Sequence, residues 1–259
     1  GGRPGSRGAR VGPGGGVGGG GHGVVGQTLF IEELDVTKDD CQKLVDGILE
    51  KEGRIDVLVN NAGQLMWDAL DNVDMERAKA IFDVNFWGYV KMMRAVMPSM
   101  KAKQSGRIIN MSSMFGFDSQ PFQTIYAASK YAVEGMTESM APVLKLYNIW
   151  TILIEPALVS TAMTKDTANP TAFITDTPTQ AGFDDVTTAA FRFRFASPAI
   201  QQLLEAMQAP DQVAQVVREA IVSQEPHLRY QTSDVSKAIA ASRMVDTAGD
   251  SRFGMLQDR

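Results

Sequence analysis

The sequence is poor in the residues that support disulfides, metal centres and membrane-spanning helices. It has one cysteine, Cys41, and two histidines, His22 and His227, among 259 residues. A single cysteine excludes an internal disulfide and suits a reducing cytoplasm, where we expect the protein to lie, with peripheral membrane contact left open. No stretch approaches the roughly 18 consecutive apolar residues of a membrane-spanning helix, and we assign no metal ligands.

Basic charge is also scarce. The formal net charge is −5, and lysines and arginines form no block, which argues against nucleic acid as the main partner. The 44% of hydrophobic and 21% of charged residues are typical of a globular protein. The length suits one large domain with a buried core.

Glycine is concentrated at one end of the chain. Residues 1–27 contain 14 of the 24 glycines, and their only large apolar residues are four valines. Ordering such a segment has a high entropic cost that little apolar burial would offset. We therefore predict a disordered glycine-rich segment over 1–27 and a folded domain over 28–259.

From residue 28 onward, short β-branched runs alternate with stretches of helical spacing. This pattern predicts an α/β fold with a mainly parallel sheet. The predicted strands are 28–36, 55–60, 106–113, 150–156 and 227–232, and the predicted helices begin near Thr37 and cover about 72–103, 125–147 and 211–223. Residues 161–200 are predicted to form a lid, in which Phe-Arg-Phe-Arg-Phe at 191–195 has the period of a strand.

Tyr126 and Lys130 are four residues apart in the second long helix, which places them on one helical face. A phenol with a pKa near 10 is a weak acid or base at neutral pH, and a neighbouring ammonium favours its ionised form. The pair therefore indicates proton transfer. The alternative is a surface tyrosine beside a solvated lysine.

Two further segments end strands at the edge where parallel sheets bind ligands. Ser113 ends the strand 106–113, and its hydroxyl is suited to hold a substrate oxygen while Tyr126 transfers the proton. Val-Asn-Asn-Ala-Gly at 59–63 ends another strand, and Gly63 permits close backbone approach to a ligand. The alternatives are a helix cap for Ser113 and a simple turn at 59–63.

Together these residues resemble the signature set of the short-chain dehydrogenase/reductase family. The set, in order along the chain, is Asn60, Asn61, Ala62, Gly63, Asn85, Ser113, Tyr126 and Lys130. The resemblance implies a single-domain, doubly wound Rossmann-type fold and hydride transfer between a nicotinamide cofactor and an alcohol or carbonyl. The cofactor is NADP or NAD, with NADP the first candidate.

The same resemblance implies a role for each residue. Tyr126 is the acid/base, Lys130 binds the nicotinamide ribose and lowers the tyrosine pKa, Ser113 orients the substrate oxygen, and Asn85 holds a water. The implied cofactor-binding residues are Asp35 and Val36 beside the adenine, Asn61, Ala62, Gly63, Tyr126, Lys130, and Pro156 to Thr161 at the nicotinamide amide, with Ala157 in place of the family's glycine. The implied substrate-binding residues are Ser113, Met114 and Phe122.

Within the family, residues 126–141 and 210–232 are similar to the branch of retinol dehydrogenase and estradiol 17-beta-dehydrogenase. This similarity implies an apolar substrate, in keeping with the methionines and phenylalanines around Ser113 and in the lid. The lid has no histidine, which favours a retinoid over a steroid. The resemblance also implies a homodimer through the helices that begin near 72 and 125.

The glycine-rich start does not match the family's opening. Family members begin with a strand and the motif T-G-x-x-x-G-x-G, whereas residues 1–27 have neither. We therefore expect the first two strands to be missing and residues 55–59 to form an exposed edge. Three interpretations remain open: an incomplete form of an active oxidoreductase, a cofactor-deficient remnant that binds an apolar ligand or a dimer partner, and an unrelated scaffold.

Overall fold

The chain forms two units, Gly1–Glu33 and Leu34–Arg259, and the structure, a computed structural model, describes residues 30–161 and 182–243. The described part of the first unit is residues 30–33, which form neither helix nor strand. The predicted disordered segment 1–27 and residues 162–181 of the predicted lid lie outside the described residues. All elements below belong to the second unit.

A parallel sheet of four strands, in the spatial order β1-β2-β3-β4, forms the centre of this unit. The strands are β1 Val57–Asn60, β2 Gly106–Met111, β3 Ile149–Glu155 and β4 Arg229–Gln231. All three neighbouring pairs are parallel. With helices on both faces, this sheet confirms the predicted doubly wound α/β fold.

Eight α-helices lie in the described residues. They are α1 Cys41–Glu52, α2 Met75–Phe82, α3 Gly88–Lys103, α4 Thr124–Lys145, α5 Asp185–Ala196, α6 Pro198–Glu205, α7 Pro210–Val222 and α8 Asp234–Arg243. A π-helical turn, Asp83–Trp87, joins α2 to α3. Over the stretches described, none of these helices has both the length and the apolar character needed to cross a bilayer.

The alternation of side chains along the central strands builds a core on each face of the sheet. Ile108 and Leu153 pack on one face with Val96 of α3 and Val133 of α4. Their strand neighbours Ile109, Ile152 and Ile154 pack on the other face with Val213 and Ala220 of α7. Both faces are buried, so these strands consist of nearly continuous apolar runs rather than alternating polar and apolar residues.

A series of hydrogen-bonded, buried polar side chains fixes the register of the sheet at the end of β1. The Asn60 amide donates to Asn110 Oδ1 at 2.8 Å, and the Asn110 amide donates to Thr137 Oγ1 of α4 at 2.9 Å. Asn60 and Asn110 are also register partners in β1 and β2. This chain holds the end of β1 against β2 and α4.

The predicted strand 28–36 is wrong for its described part, because residues 30–36 form no strand. Instead, Asp35 Oδ1 accepts bonds from the backbone nitrogen and the hydroxyl of Thr37, at 3.0 and 2.7 Å. Such local side-chain bonds stabilise a turn in place of a strand ladder. The following helix therefore begins at Cys41, later than predicted.

The strand β1 lies at the outer side of the sheet formed by the described residues. Val59 in this strand is 39% exposed, whereas Leu58 is buried, and the exposed edge expected for residues 55–59 stays a prediction.

The predicted strand period at 191–195 is also wrong, because these residues lie in helix α5. Phe191 and Phe195, four residues apart, are buried, whereas Phe193 is 36% exposed. The burial therefore follows the helical period, and the alternation with arginine reflects the exposed face of the helix.

Candidate active site

A cavity of about 550 Å³ lies at the carboxyl ends of β1, β2 and β3. It is lined by residues that directly follow these strands and by residues of α4 and α7. Seven of the predicted site residues line it: Asn61, Gly63, Ser113, Tyr126, Lys130, Pro156 and Thr161. The fold therefore brings together segments that are distant in sequence at the edge where parallel sheets bind ligands.

Helix α4 carries the two predicted acid/base residues on its buried face. Tyr126 and Lys130 are both buried, at 9% and 4% exposure. Near the helix start, the Asp68 carboxylate accepts a bond from the backbone nitrogen of Ile125 at 3.1 Å. An acidic group at this position satisfies a free helix N–H and complements the helix dipole, which stabilises the end of α4 that carries Tyr126.

Tyr126 and Ser113 both line the cavity. Burial raises the pKa of Tyr126 to about 12, and the nearby Ser113 hydroxyl opposes this increase. The Ser113 hydroxyl also accepts a bond from the backbone nitrogen of Phe115 at 3.2 Å, which fixes its position. With that pKa the phenol keeps its proton at neutral pH, so it is a proton donor.

Lys130 is held below the tyrosine by a neutral acceptor. Its Nζ donates to the backbone oxygen of Met111 at 2.8 Å, and the Tyr89 hydroxyl bonds to the same oxygen at 3.3 Å. Burial lowers the pKa of Lys130 to about 8. Its Nζ lies 5.9 Å from the centre of the Tyr126 ring, and burial outweighs the lowering of the tyrosine pKa that we expected from the ammonium.

Asn85 joins the loop after β1 to helix α4. Asn85 lies in the π-helical turn, and its Oδ1 accepts from the backbone nitrogen of Gln64 at 2.8 Å. Its Nδ2 donates to the Gln64 oxygen at 2.9 Å and to Ser129 Oγ at 3.0 Å. Such turns recur at functional sites. Here the turn aims Asn85 at the loop, and both amide hydrogens are used in positioning it.

Gly63 brings that loop close to the lysine. A Cβ on Gly63 would lie 3.6 Å from Asn85 Oδ1 and 3.9 Å from Lys130 Nζ. The loop backbone therefore passes directly beside the lysine and leaves the space that a side chain would occupy.

Six predicted residues are not among those that line the cavity: Asp35, Val36, Ala62, Asn85, Met114 and Phe122. Asp35 forms the turn with Thr37. Val36 packs so closely on Gly88 that a Cβ on Gly88 would lie 2.8 Å from Val36 Cγ2. Met114 is buried beside the Tyr126 ring. Phe122 packs edge-on against Phe191 of α5, with ring centres 5.0 Å apart. The roles predicted for these six residues at the cofactor or substrate stay predictions.

Sequence reasoning missed Gln123, which lines the cavity and is fully buried. Its position three residues before Tyr126, directly ahead of helix α4, was the available signal. Sequence reasoning also missed the cover that Pro210, Val213 and Val217 of α7 provide to the cavity.

One helical turn beyond Lys130, Glu134 belongs to a second group of buried ionisable side chains. The Arg229 guanidinium of β4 contacts the carboxylates of Glu134, Glu138 and Glu155. Burial and the neighbouring Glu155 raise the pKa of Glu134, while Arg229 lowers it. This network ties β3 and β4 to α4, and Glu134 in turn favours the charged form of Lys130.

Comparison with known families and proteins agrees with this geometry. A family model described as short chain dehydrogenase matches residues 22–171. Retinol dehydrogenase 8 of Bos taurus is 35% identical over 231 residues, which cover 87% of this chain and 71% of the relative. The 17-beta-hydroxysteroid dehydrogenase type 1 of Mus musculus is 33% identical over 227 residues, which cover 86% of this chain and 63% of the relative.

A solved structure shows the same fold. The short chain dehydrogenase/reductase of Burkholderia phymatum, in complex with NAD, superposes with a TM-score of 0.65 at 25% identity. The superposition covers 87% of this chain and 77% of the other.

Proposed function

Because this chain belongs to the short chain dehydrogenase family of NAD(P)-dependent oxidoreductases, we propose that it interconverts an alcohol and a carbonyl on an apolar substrate. The observation that carries the proposal is that Ser113, Tyr126 and Lys130 line one cavity at the carboxyl ends of the strands. These three side chains come from two elements, the end of β2 and the start of α4.

The hydroxyls of Ser113 and Tyr126 have different roles at the substrate oxygen. In the reducing direction, the Ser113 hydroxyl donates a hydrogen bond to the carbonyl oxygen and orients it. Tyr126, protonated at neutral pH because burial raises its pKa to about 12, gives its proton to that oxygen. In the oxidising direction the same phenol must first lose its proton, so a charged Lys130 nearby is needed to favour phenolate.

The nicotinamide cofactor, when bound, supplies or accepts the hydride. The described residues fit its nicotinamide end, because Gly63 leaves open space beside Lys130, and Asn61, Pro156 and Thr161 line the same cavity. We propose NADP or NAD, with NADP the first candidate. The roles of Lys130 at the ribose and of Pro156 to Thr161 at the amide belong to this proposal.

The substrate class follows from the lining of the cavity and from the relatives. Apolar side chains such as Leu65, Phe115, Val213 and Val217 form much of its wall, which suits an apolar ligand. The relatives include a retinol dehydrogenase and a 17-beta-hydroxysteroid dehydrogenase. We propose a retinoid as the first substrate to test and a steroid as the second.

A homodimer is part of the same proposal. Exposed large apolar side chains lie on α2, α4 and the π-helical turn, including Met75, Trp87 and Val143, at 58%, 51% and 54% exposure. These are the helices that the resemblance assigns to a dimer. Sedimentation equilibrium measures the mass directly, and a monomer at micromolar concentration would contradict this part. Peripheral membrane contact also remains a prediction.

The test of the proposed function combines binding with turnover. Purified full chain is expected to enhance NADPH or NADH fluorescence and to oxidise all-trans-retinol or estradiol, with Tyr126→Phe abolishing the turnover. The exposed Tyr131→Phe on the same helix is the matched control and should keep full activity. Binding of retinoid without any binding of dinucleotide would instead establish an apolar-ligand binder.

A further inference from the structure

The residue that precedes helix α4 carries a buried amide that the described part of the protein leaves unpaired. Gln123 is 0% exposed, and neither its Oε1 nor its Nε2 has a hydrogen-bond partner among the described residues. An unpaired buried amide is destabilising, and folded proteins rarely retain one. Gln123 also lines the cavity that contains Tyr126. Its amide is therefore placed to pair with a ligand.

The turn that carries Gln123 is held from two sides. The backbone oxygen of Phe122 accepts a bond from the Asp68 nitrogen at 2.9 Å, and the Asp68 carboxylate accepts from the Ile125 nitrogen at 3.1 Å. Phe122 has a φ of 66°, a left-handed conformation that an aromatic residue rarely adopts. The ring of Phe122 is packed against Phe191 of the α5 helix. These contacts restrain the turn and keep Gln123 at the cavity.

The spacing from Tyr126 locates the group that Gln123 would meet. Gln123 directly precedes helix α4, three residues before Tyr126, and both side chains line the same cavity, so the amide lies within reach of a ligand that Tyr126 and Ser113 would hold. An amide has both a donor and an acceptor, and a hydroxyl group complements both at once. The matching ligand group is a hydroxyl next to the reacting carbon.

We propose that Gln123 is a substrate-binding residue whose amide pairs with a hydroxyl on the carbon adjacent to the reacting carbonyl. Among the apolar substrates of the proposed function, on which this inference rests, those with such a hydroxyl bind more tightly: an apolar α-hydroxy ketone, or the vicinal diol formed from it. In the reducing direction the carbonyl carbon gains a hydride from the reduced nicotinamide cofactor, its oxygen gains the Tyr126 proton, and the neighbouring hydroxyl is unchanged. Retinol, with one oxygen, leaves the amide unpaired.

The experiment compares two ligands that differ only in that hydroxyl, dodecan-2-one and 1-hydroxydodecan-2-one. Calorimetry with the full chain gives the Kd of each, and turnover with NADPH and NADH is measured separately. The variants are Gln123→Leu, which removes the amide, and Gln120→Leu as a matched control. Gln120→Leu makes the same chemical change in the same loop. The native Gln120 amide is bonded to Asp118 and Arg194, and Gln120 does not line the cavity.

The native chain and Gln120→Leu are expected to bind the hydroxy ketone roughly tenfold or more tightly than the plain ketone. Gln123→Leu should reduce this ratio to about one and leave the Kd of the plain ketone little changed. Equal Kd values for the two ketones in the native chain, or an unchanged ratio in Gln123→Leu, would overturn the inference. Preserved discrimination without turnover would instead contradict the proposed oxidoreductase function, and absence of binding to either ketone would overturn both.

Discussion

Two groups of buried ionisable side chains lie one helical turn apart on α4, and their surroundings differ. Lys130 donates to a neutral backbone oxygen, and burial lowers its pKa to about 8. Glu134 contacts Arg229, which also contacts Glu155 and Glu138. Burial moves both pKa values toward neutral, that of Lys130 down and that of Glu134 up, so the two groups differ in their partners and not in whether the pKa is shifted. Lys130 bonds to a neutral oxygen at the cavity, whereas Glu134 contacts the Arg229 cation, which holds it in place. The first group is therefore suited to chemistry and the second to structure.

Removing the phenol at the first group should have the largest effect, and on rate rather than stability. Tyr126→Phe removes the proton donor, so kcat/KM should fall by about 10² to 10⁴-fold. The free energy of unfolding should change by only about 1 kcal/mol, the usual net contribution of one hydrogen bond. Steady-state kinetics and urea denaturation measure the two quantities. A rate within threefold of the native chain would remove Tyr126 from the mechanism.

Removing the cation of the second group, Arg229, should lower the stability of the fold more than any other change considered. Arg229→Met leaves the carboxylates of Glu134 and Glu155 buried without their positive partner, and the free energy of unfolding should fall by about 3 to 5 kcal/mol. Urea denaturation is the measurement. The control is Arg218→Met at an exposed site of α7, where we expect a change within about 0.5 kcal/mol. A similar decrease in the free energy of unfolding in both variants would contradict the stabilising role of the Arg229 contacts.

The pH dependence of Lys130→Met sharpens the comparison. The folded-state pKa of Lys130 is about 8, below the ordinary lysine value of 10.5, so between these values the unfolded chain binds more protons than the folded chain. The native chain should therefore gain stability relative to the variant as the pH rises from about 8 to 10.5, by on the order of 2 kcal/mol. Unfolding of both proteins at a series of pH values gives this difference. A constant difference would show that Lys130 is not buried as an ammonium.

The exposed member of the acidic network should matter least. Glu138 contacts Arg229, but its side chain is 50% exposed, so water screens the pair. Glu138→Gln should lower the free energy of unfolding by about 0.5 kcal/mol or less. A loss comparable to that of Arg229→Met would mean that the network acts as one unit and that the distinction between its buried and exposed members is wrong.

The sequence predicted the part of the site that depends on short spacings and strand ends. Tyr126 and Lys130 are one turn apart, and Ser113 follows a strongly apolar strand, so local patterns were enough to bring them together. Gln123 was missed because burial without a partner is a property of the surrounding fold. The contacts of Arg229 with Glu134 were missed because 95 residues separate the two side chains.

Two local patterns misled the prediction. The short apolar run within 28–36 favoured a strand, but a strand also requires bonds to a neighbour, and the Asp35 turn took its place in the described residues. At 191–195 the alternation of Phe and Arg suggested a period of two, whereas burial selected the helical pair Phe191 and Phe195. Short segments are compatible with both periods, and the tertiary contacts decide between them.

The buried chain from Asn60 through Asn110 to Thr137 has a practical consequence for redesign. If β1 slipped by one residue against β2, these amides would lose their acceptors inside the sheet, so one alignment is strongly preferred. If these three residues are retained, the end of β1 keeps its position relative to Tyr126, so a new loop grafted after β1 would begin at the same place. Libraries intended to change which ligands enter should retain Asn60, Asn110 and Thr137, together with Asn61 and Gly63 of the proposed cofactor site.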